Sequence, residues 1–390
     1  MLVSVVVPVH NRPALLRTCL DSLAAQTYED WEGVVVDDGS SEDVASVVEG
    51  RDPRIRSVRQ DNAGPSVARN RGVEHARGDA ILFLDSDDVL LPDALSRLVG
   101  ALRDTPEADV SYGWFYLMTG EGAPRSMVCM REQPASSVDS PWPNAEAPAY
   151  GLDADGDPTA ALLLDDALVM GSALIRSEAV ERIGGFDPEV EYMEHWDFYL
   201  RLAAAGASFA CVRAPVMVIR SHEGNRGSGN LRAMLRGRLQ GIDRHGSRLP
   251  DADAQVPDRA RARAYVRTAI GHCAHGDVSE GFECLSRALA TRALTVEEEA
   301  VIVQFTIAAA FEGEDPVAQV TQYCRALGAG RVPTQFRRRL LATVHRRLGR
   351  RALIRRQAGH LLRHLMLATY YQPFFVAGKA FALLSSSRGT

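Results

Sequence analysis

Lysine is almost missing from this chain. Of 44 basic residues only Lys379 is a lysine, and the others are arginines. That all but excludes a lysine nucleophile and leaves arginine nearly all the positive charge to supply. Cysteine is sparse too: Cys19, Cys129, Cys211, Cys273, Cys284 and Cys324 are scattered, with no CxxC pair. A disulfide framework or a zinc site is therefore not expected, and a reducing cytoplasm fits. A strand-like run begins at Leu2, which leaves no room for a signal peptide and points to a cytoplasmic location. No multi-span membrane region is present, and the one long apolar stretch, 365–384, is broken by Gln372, Pro373 and Lys379. At 46% hydrophobic and 24% charged residues the composition is that of a soluble globular protein, and 390 residues allow two or three domains. The net charge of −6 is uneven. Residues 336–390 hold eleven Arg, one Lys and no acid, which is +12 and leaves −18 for residues 1–335.

Three early segments read as strands buried on both faces: residues 3–7 (VSVVV), 33–36 (GVVV) and 80–84 (AILFL). Near-continuous Val/Ile/Leu runs mark a parallel sheet covered by helices. Between the first two, Leu16, Leu20, Leu23 and Ala24 share one helical face, with Pro13 near its start. Residues 65–77 read as a second helix closed by Gly78, which completes β-α-β-α-β, an α/β layered domain. Further strands are expected over 109–117 and 210–219, and helices over 158–164 and 191–202. A long loop fills about 120–160. Beyond 231 only helices are expected, with a helical hairpin over 259–293 broken near Gly276-Asp277.

Each early strand ends in a polar cluster: Pro8-Val9-His10-Asn11-Arg12, Asp37-Asp38-Gly39-Ser40 and Asp85-Ser86-Asp87-Asp88. Open parallel sheets bind ligands beyond the carboxyl ends of their strands, so the three clusters gather on one edge. Three carboxylates in four positions repel one another and need positive compensation. Their hard oxygens suit Mg²⁺ or Mn²⁺, which also bind substrate phosphates. Asp38 is placed to accept a hydrogen bond from a base N–H, Arg69 to reach a nucleotide, and His222 to ligate a metal or phosphate. Each also has a bland reading: strand-ending Asp in tight turns, and a lone structural histidine.

The run VVVPVHNRPALLRTCLDSLAAQTYEDWEGVVVDDGSSED, followed by NAGPSVARNRGVEHARGDAILFLDSDD, resembles the family 2 glycosyltransferases over about the first 230 residues. The resemblance implies a GT-A nucleotide-sugar-binding domain, with a mostly parallel central sheet flanked by helices, and then an α-helical C-terminal domain. The implied division is 1–230, 231–335 and a basic amphipathic tail, 336–390. It also implies a metal-dependent, hexosyltransferase-like, inverting enzyme that moves a sugar from a nucleotide-sugar donor, a UDP-sugar for preference, to an acceptor hydroxyl; without the QxxRW motif of processive synthases or a multi-span membrane region, it is expected to be non-processive. Carried over by position, Pro8, His10, Asn11, Arg12, Asp38, Asn62, Arg69, Asp85 and Ser86 bind the donor, while Asp87 and His222 hold Mn²⁺ or Mg²⁺. GGFDPE and EHWDFYLRL resemble the acceptor-side segment. Family members often read Glu-Asp-x-Asp there; here Glu194-His195-Trp196-Asp197 puts His195 at the usual base position. The base is then His195, or Glu194 oriented by His195, or neither.

The acceptor stays open among a lipid-linked glycan, a small natural product and a peptide. The basic tail, with Tyr370, Tyr371, Phe374 and Phe375, fits peripheral attachment to an anionic membrane, although it can equally pack on the acidic body. No nucleic-acid partner is expected. Two rival functions are a degenerate GT-A scaffold that binds a membrane or partner without catalysis, and a nucleotidyltransferase.

Overall fold

The structure, a computed structural model, describes residues 1–119, 126–128, 157–164, 168–221, 230–274 and 277–291. His222, most of the 120–160 loop and the 336–390 tail lie outside the described residues. The elements run β1 (Val3–Val9), α1 (Pro13–Ala24), β2 (Trp31–Asp38), α2 (Ala45–Val48), β3 (Ile55–Gln60), α3 (Pro65–His75), β4 (Ala80–Phe83), β5 (Val89–Leu90), α4 (Ala94–Asp104) and β6 (Val110–Thr119). There follow β7 (Ser126–Val128), α5 (Pro158–Leu164), β8 (Ala173–Arg176), α6 (Ser177–Ile183), α7 (Glu194–Ala204), β9 (Phe209–Ser221), α8 (Leu231–Gly246), α9 (Val256–Ala274) and α10 (Val278–Ala290).

The strands form one sheet in the order β3-β2-β1-β4-β8-β6-β9-β5, with β7 beside β6. Its first half, β3-β2-β1-β4, is parallel throughout. The second half is mixed: β8 runs antiparallel to β4 and β6, and β6 runs parallel to β9. β1, β2 and β4 are covered on both faces, as their unbroken Val/Ile/Leu runs require. On α1 the buried face is Leu16, Cys19, Leu20 and Leu23, while Ala24 is exposed. Each buried leucine there contributes roughly 1.5–3 kcal/mol by leaving water. α3 lies so close to β1 that a Cβ at Gly72 would sit 2.2 Å from Val6 Cγ1. That approach fixes the height of the helix whose N-terminus borders the strand ends.

Three rings carry α7. Phe83 at the end of β4 meets Phe186 and Phe198 edge-on at 4.9 and 5.6 Å, and Phe186 stacks on Phe198 of α7 at 4.2 Å. The carboxylate cluster that follows β4 and the first turn of α7 therefore rest on one aromatic core.

By internal contacts the chain divides into a unit of residues 1–140 and 144–260 and a unit of residues 141–143 and 261–390. In the second unit the described residues include the end of α9 and all of α10. Asp277 caps α10 by accepting from the Glu280 N–H.

Candidate active site

The β1–α1 turn is built from two consecutive non-glycine residues in left-handed conformation, Asn11 (φ 60°) and Arg12 (φ 65°). Each costs about 1–2 kcal/mol, so the turn must be held from outside. Asn11 Oδ1 accepts from the Ser41 N–H at 2.9 Å and the Glu42 N–H at 3.3 Å, and the Asn11 N–H donates to Ser40 Oγ at 2.7 Å. The turn carries the Arg12 guanidinium to Asp87, where Nη1 donates to Oδ2 at 2.9 Å.

At the end of β2, Asp38 is buried and nearly filled. Its carboxylate accepts from Gln60 Nε2 at 2.8 Å, the Ala63 N–H at 2.8 Å and the Gly64 N–H at 2.9 Å. A carboxylate offers about four lone-pair positions, so at most one is left for a nucleotide base. Asp38 thus shapes the loop that opens α3. Its carbonyl oxygen receives Asn62 Nδ2 at 3.1 Å and lies 2.8 Å from His10 Nδ1. His10, Asn62 and Asp38, read separately in the sequence, form one cluster.

Asp85, Asp87 and Asp88 converge, with one carboxylate oxygen from each lying within 4.8 Å of the others. Asp85 and Asp87 are part-exposed, and Asp88 is buried. Burial, then the charges of Asp85 and Asp87, push the Asp88 carboxyl well above the usual carboxylate range, against the opposing pull of Arg220. The Arg220 N–H donates to Asp88 Oδ1 at 3.0 Å, and its side chain donates to the Asp87 carbonyl and, at 3.0 Å, to the Leu15 carbonyl. An oxygen-only cluster of this kind fits a hard divalent cation. Ser86 is buried between the acids, and Pro8 is half-buried at the end of β1. Behind the cluster the Cys19 thiol is pushed far up by burial and then by Asp88, so it is a neutral core group.

Arg69, on the first turns of α3, is only 4% exposed. One Nη donates to Asp85 Oδ1 at 2.8 Å and the other to Glu194 Oε1 at 3.1 Å, while its guanidinium lies 5.2 Å from the Phe186 ring centre. Burial works against the Glu194 charge, yet Arg69 and then His195 hold its carboxyl below the usual range. Next to Arg69, Asn70 pairs with the main chain of Phe186: Nδ2 donates to its carbonyl at 2.8 Å and Oδ1 accepts its N–H at 2.7 Å. α3 thereby anchors the Gly184-Gly185-Phe186 segment. His195 is half-buried beside Glu194 in the first turn of α7.

Asp197 points away from this group. It accepts from Arg201 Nε at 2.8 Å, Arg244 Nη1 at 3.2 Å and His245 Nε2 at 3.1 Å, which fastens α7 to α8. Burial opposes its charge, but His245 and Arg201 hold its carboxyl below the ordinary value. Its contribution to stability is complete above the unfolded value of about 3.9 and is lost as pH falls from there through the native value. The urea midpoint of Asp197→Asn should therefore lie clearly below that of the wild type at pH 7, and the gap should shrink below about pH 4. A gap that persists at low pH would refute this linkage.

Sequence reading placed Asp88 in the carboxylate cluster without giving it a role, and paired neither Asn70 nor Arg220 with the site. Asp88 was legible beside Asp87; the Asn70–Phe186 and Asp88–Arg220 pairs, separated by 116 and 132 residues, left no local signal.

A parallel half-sheet with polar strand ends, an acidic cluster beyond β4 and a second acid-bearing helix facing it define the GT-A class of α/β domain. Residues 4–140 match the family described as Glycosyl transferase family 2. The uncharacterized glycosyltransferase YibD of Escherichia coli is 37% identical over 123 residues, which is 30% of this chain and 36% of that protein. The poly(ribitol-phosphate) beta-glucosyltransferase of Bacillus spizizenii is 33% identical over 147 residues, 36% of this chain and 23% of that protein. The matched segment thus spans little more than a third of these relatives at most. The structure of S. aureus TarS 1-349 in complex with UDP-GlcNAc aligns with a TM-score of 0.53 at 19% identity, covering 87% of this chain and 90% of that one. At that identity the likeness is one of fold.

Proposed function

We propose that the chain is a metal-dependent, inverting glycosyltransferase that moves one sugar per encounter from a nucleotide-sugar donor, a UDP-sugar for preference, to an acceptor hydroxyl. The observation that carries this reading is the shared guanidinium of Arg69, 2.8 Å from Asp85 and 3.1 Å from Glu194. It joins the donor-side acids and the acceptor-side helix into one site. Relatives named as glycosyltransferases and a neighbour bound to UDP-GlcNAc support the same class.

In this reading Pro8, His10, Asn11, Asp38 and Asn62 frame the nucleoside, and Asp85, Ser86 and Asp87 face the diphosphate. Asp85 and Asp87 would hold Mn²⁺ or Mg²⁺, with His222 as a further ligand; a bound cation supplies Lewis-acid charge to the departing diphosphate. His195 is the general base. Glu194, tied to Arg69 and held below the ordinary range, is a weak proton acceptor, whereas imidazole's ordinary range lies near neutrality. His195 takes the acceptor's hydroxyl proton, and that oxygen bonds to the anomeric carbon. The bond from that carbon to the diphosphate oxygen breaks, and its electron pair leaves with the nucleoside diphosphate. The charge of Glu194 offsets the positive charge that His195 acquires. The division 1–230, 231–335 and 336–390, with the basic tail on an anionic membrane, belongs to this reading. Among the described residues no helix is long and apolar enough to cross a membrane.

A donor screen tests the proposal. UDP-, TDP- and GDP-sugars are supplied with Mn²⁺ and no acceptor, and nucleoside diphosphate release is followed. Release from one donor, stopped by a chelator and by Asp87→Ala, is the expected result. Formation of nucleoside triphosphate and sugar 1-phosphate on addition of pyrophosphate would mark nucleotidyl transfer, and failure to bind any donor would overturn the proposal.

A further inference from the structure

Three acids crowd the end of β4, and three arginines answer them, but not in the same way. Arg69 is buried against Asp85 and fixed on its other side by Glu194. Arg220 is fixed by main-chain carbonyls at Leu15 and Asp87. Arg12 differs: its side chain is 33% exposed and reaches Asp87, itself 18% exposed, from a turn outside the sheet. Two successive left-handed residues and the clamp of Asn11 on Ser41 and Glu42 hold the Arg12 backbone.

A guanidinium at hydrogen-bond distance from Asp87 Oδ2 and a divalent cation on the same carboxylate carry charge of one sign and repel each other. A part-exposed arginine costs less to move than a buried one such as Arg69, since water takes over its hydrogen bonds as it leaves. We propose that Arg12 is an internal counter-ion of Asp87, which occupies that carboxylate in the metal-free protein and must be displaced before a divalent cation can bind. Arg12 thereby sets the cation concentration at which the site fills. The displaced guanidinium stays on the donor edge, where the diphosphate arrives.

This inference rests on the reading of Asp87 as a metal ligand, and the experiment separates the two. Mn²⁺ affinity is measured by calorimetry on the full chain without donor, for wild type, Arg12→Gln, Arg12→Lys and Asp87→Asn. Removal of the competing charge should tighten Mn²⁺ binding about fivefold in Arg12→Gln, the weight of a part-exposed ion pair. Arg12→Lys retains a cation and should stay within about twofold of wild type. Asp87→Asn should bind weakly or not at all. If binding depends on Asp87 but Arg12→Gln leaves it unchanged or weaker, the counter-ion role is overturned and the metal site stands. A similar gain in Arg12→Lys also overturns it, since relaxation of the turn rather than charge would then be the cause. Binding indifferent to Asp87 overturns the metal reading and this inference with it.

Discussion

Conversion of His195 to glutamine is expected to lower kcat in the acceptor-dependent reaction by about 10²–10⁴, the usual weight of a general base. Donor KM should change little, because the residue acts on the acceptor hydroxyl and not on the nucleotide. Glu194→Gln should behave differently. It removes the charge that offsets the proton on His195 and leaves Arg69 with one partner, so kcat should fall less and the acid limb of the pH–rate profile should move down in pH. The decisive comparison is between the two variants. If Glu194→Gln loses the larger factor and His195→Gln keeps its rate within about threefold, Glu194 is the base and His195 its neighbour.

The second large effect concerns stability. Arg69→Met keeps most of the side-chain volume but leaves Glu194, in a largely buried position, without its cation. Breaking one side of a buried ion pair costs about 3–5 kcal/mol. The lower end is expected, because Asp85 is 37% exposed and can recover water. Urea unfolding of the intact chain should show a lower midpoint with an unchanged slope. Pairing the change with Glu194→Gln removes the stranded charge and should restore part of the loss. A double variant as unstable as the sum of the two single ones would show that Arg69 and Glu194 do not interact.

The parallel half of the fold was open to reading because β1, β2 and β4 are buried on both faces and spell that out in Val, Ile and Leu. β3 was not. It is an edge strand in which Arg56, Ser57, Arg59 and Gln60 surround Ile55 and Val58, and without a second covered face no apolar run forms. β5 has two residues and is defined by its pairing with β9. α4 did carry a signal, the spacing of Leu95, Leu98, Val99 and Leu102, and these residues are buried. The choice of Ala24 over Cys19 for the buried face of α1 undervalued cysteine as a small apolar residue.

At the site, residue types were legible and pairings were not. An Asp cluster after a buried strand announces a cation, but the sequence cannot tell which arginine answers which acid. Asp38 shows the limit most clearly. Its position at a strand end suggests an open acceptor, whereas its oxygens are taken up by Gln60, Ala63 and Gly64. The N–H groups that fill it belong to a loop whose course no local pattern specifies.

The grip of α3 on the Gly184-Gly185-Phe186 segment bears on how freely that segment can be exchanged between related proteins. Asn70 holds Phe186 through its main-chain N–H and carbonyl, so a transplanted segment keeps this contact whatever side chain it brings to that position, provided it is not proline. Arg69 makes the opposite demand. It reads a carboxylate at 194, and a graft that lacks one would leave a buried guanidinium with half its partners. The backbone of residues 184–193 can therefore drift or recombine, while position 194 must change together with position 69 or not at all.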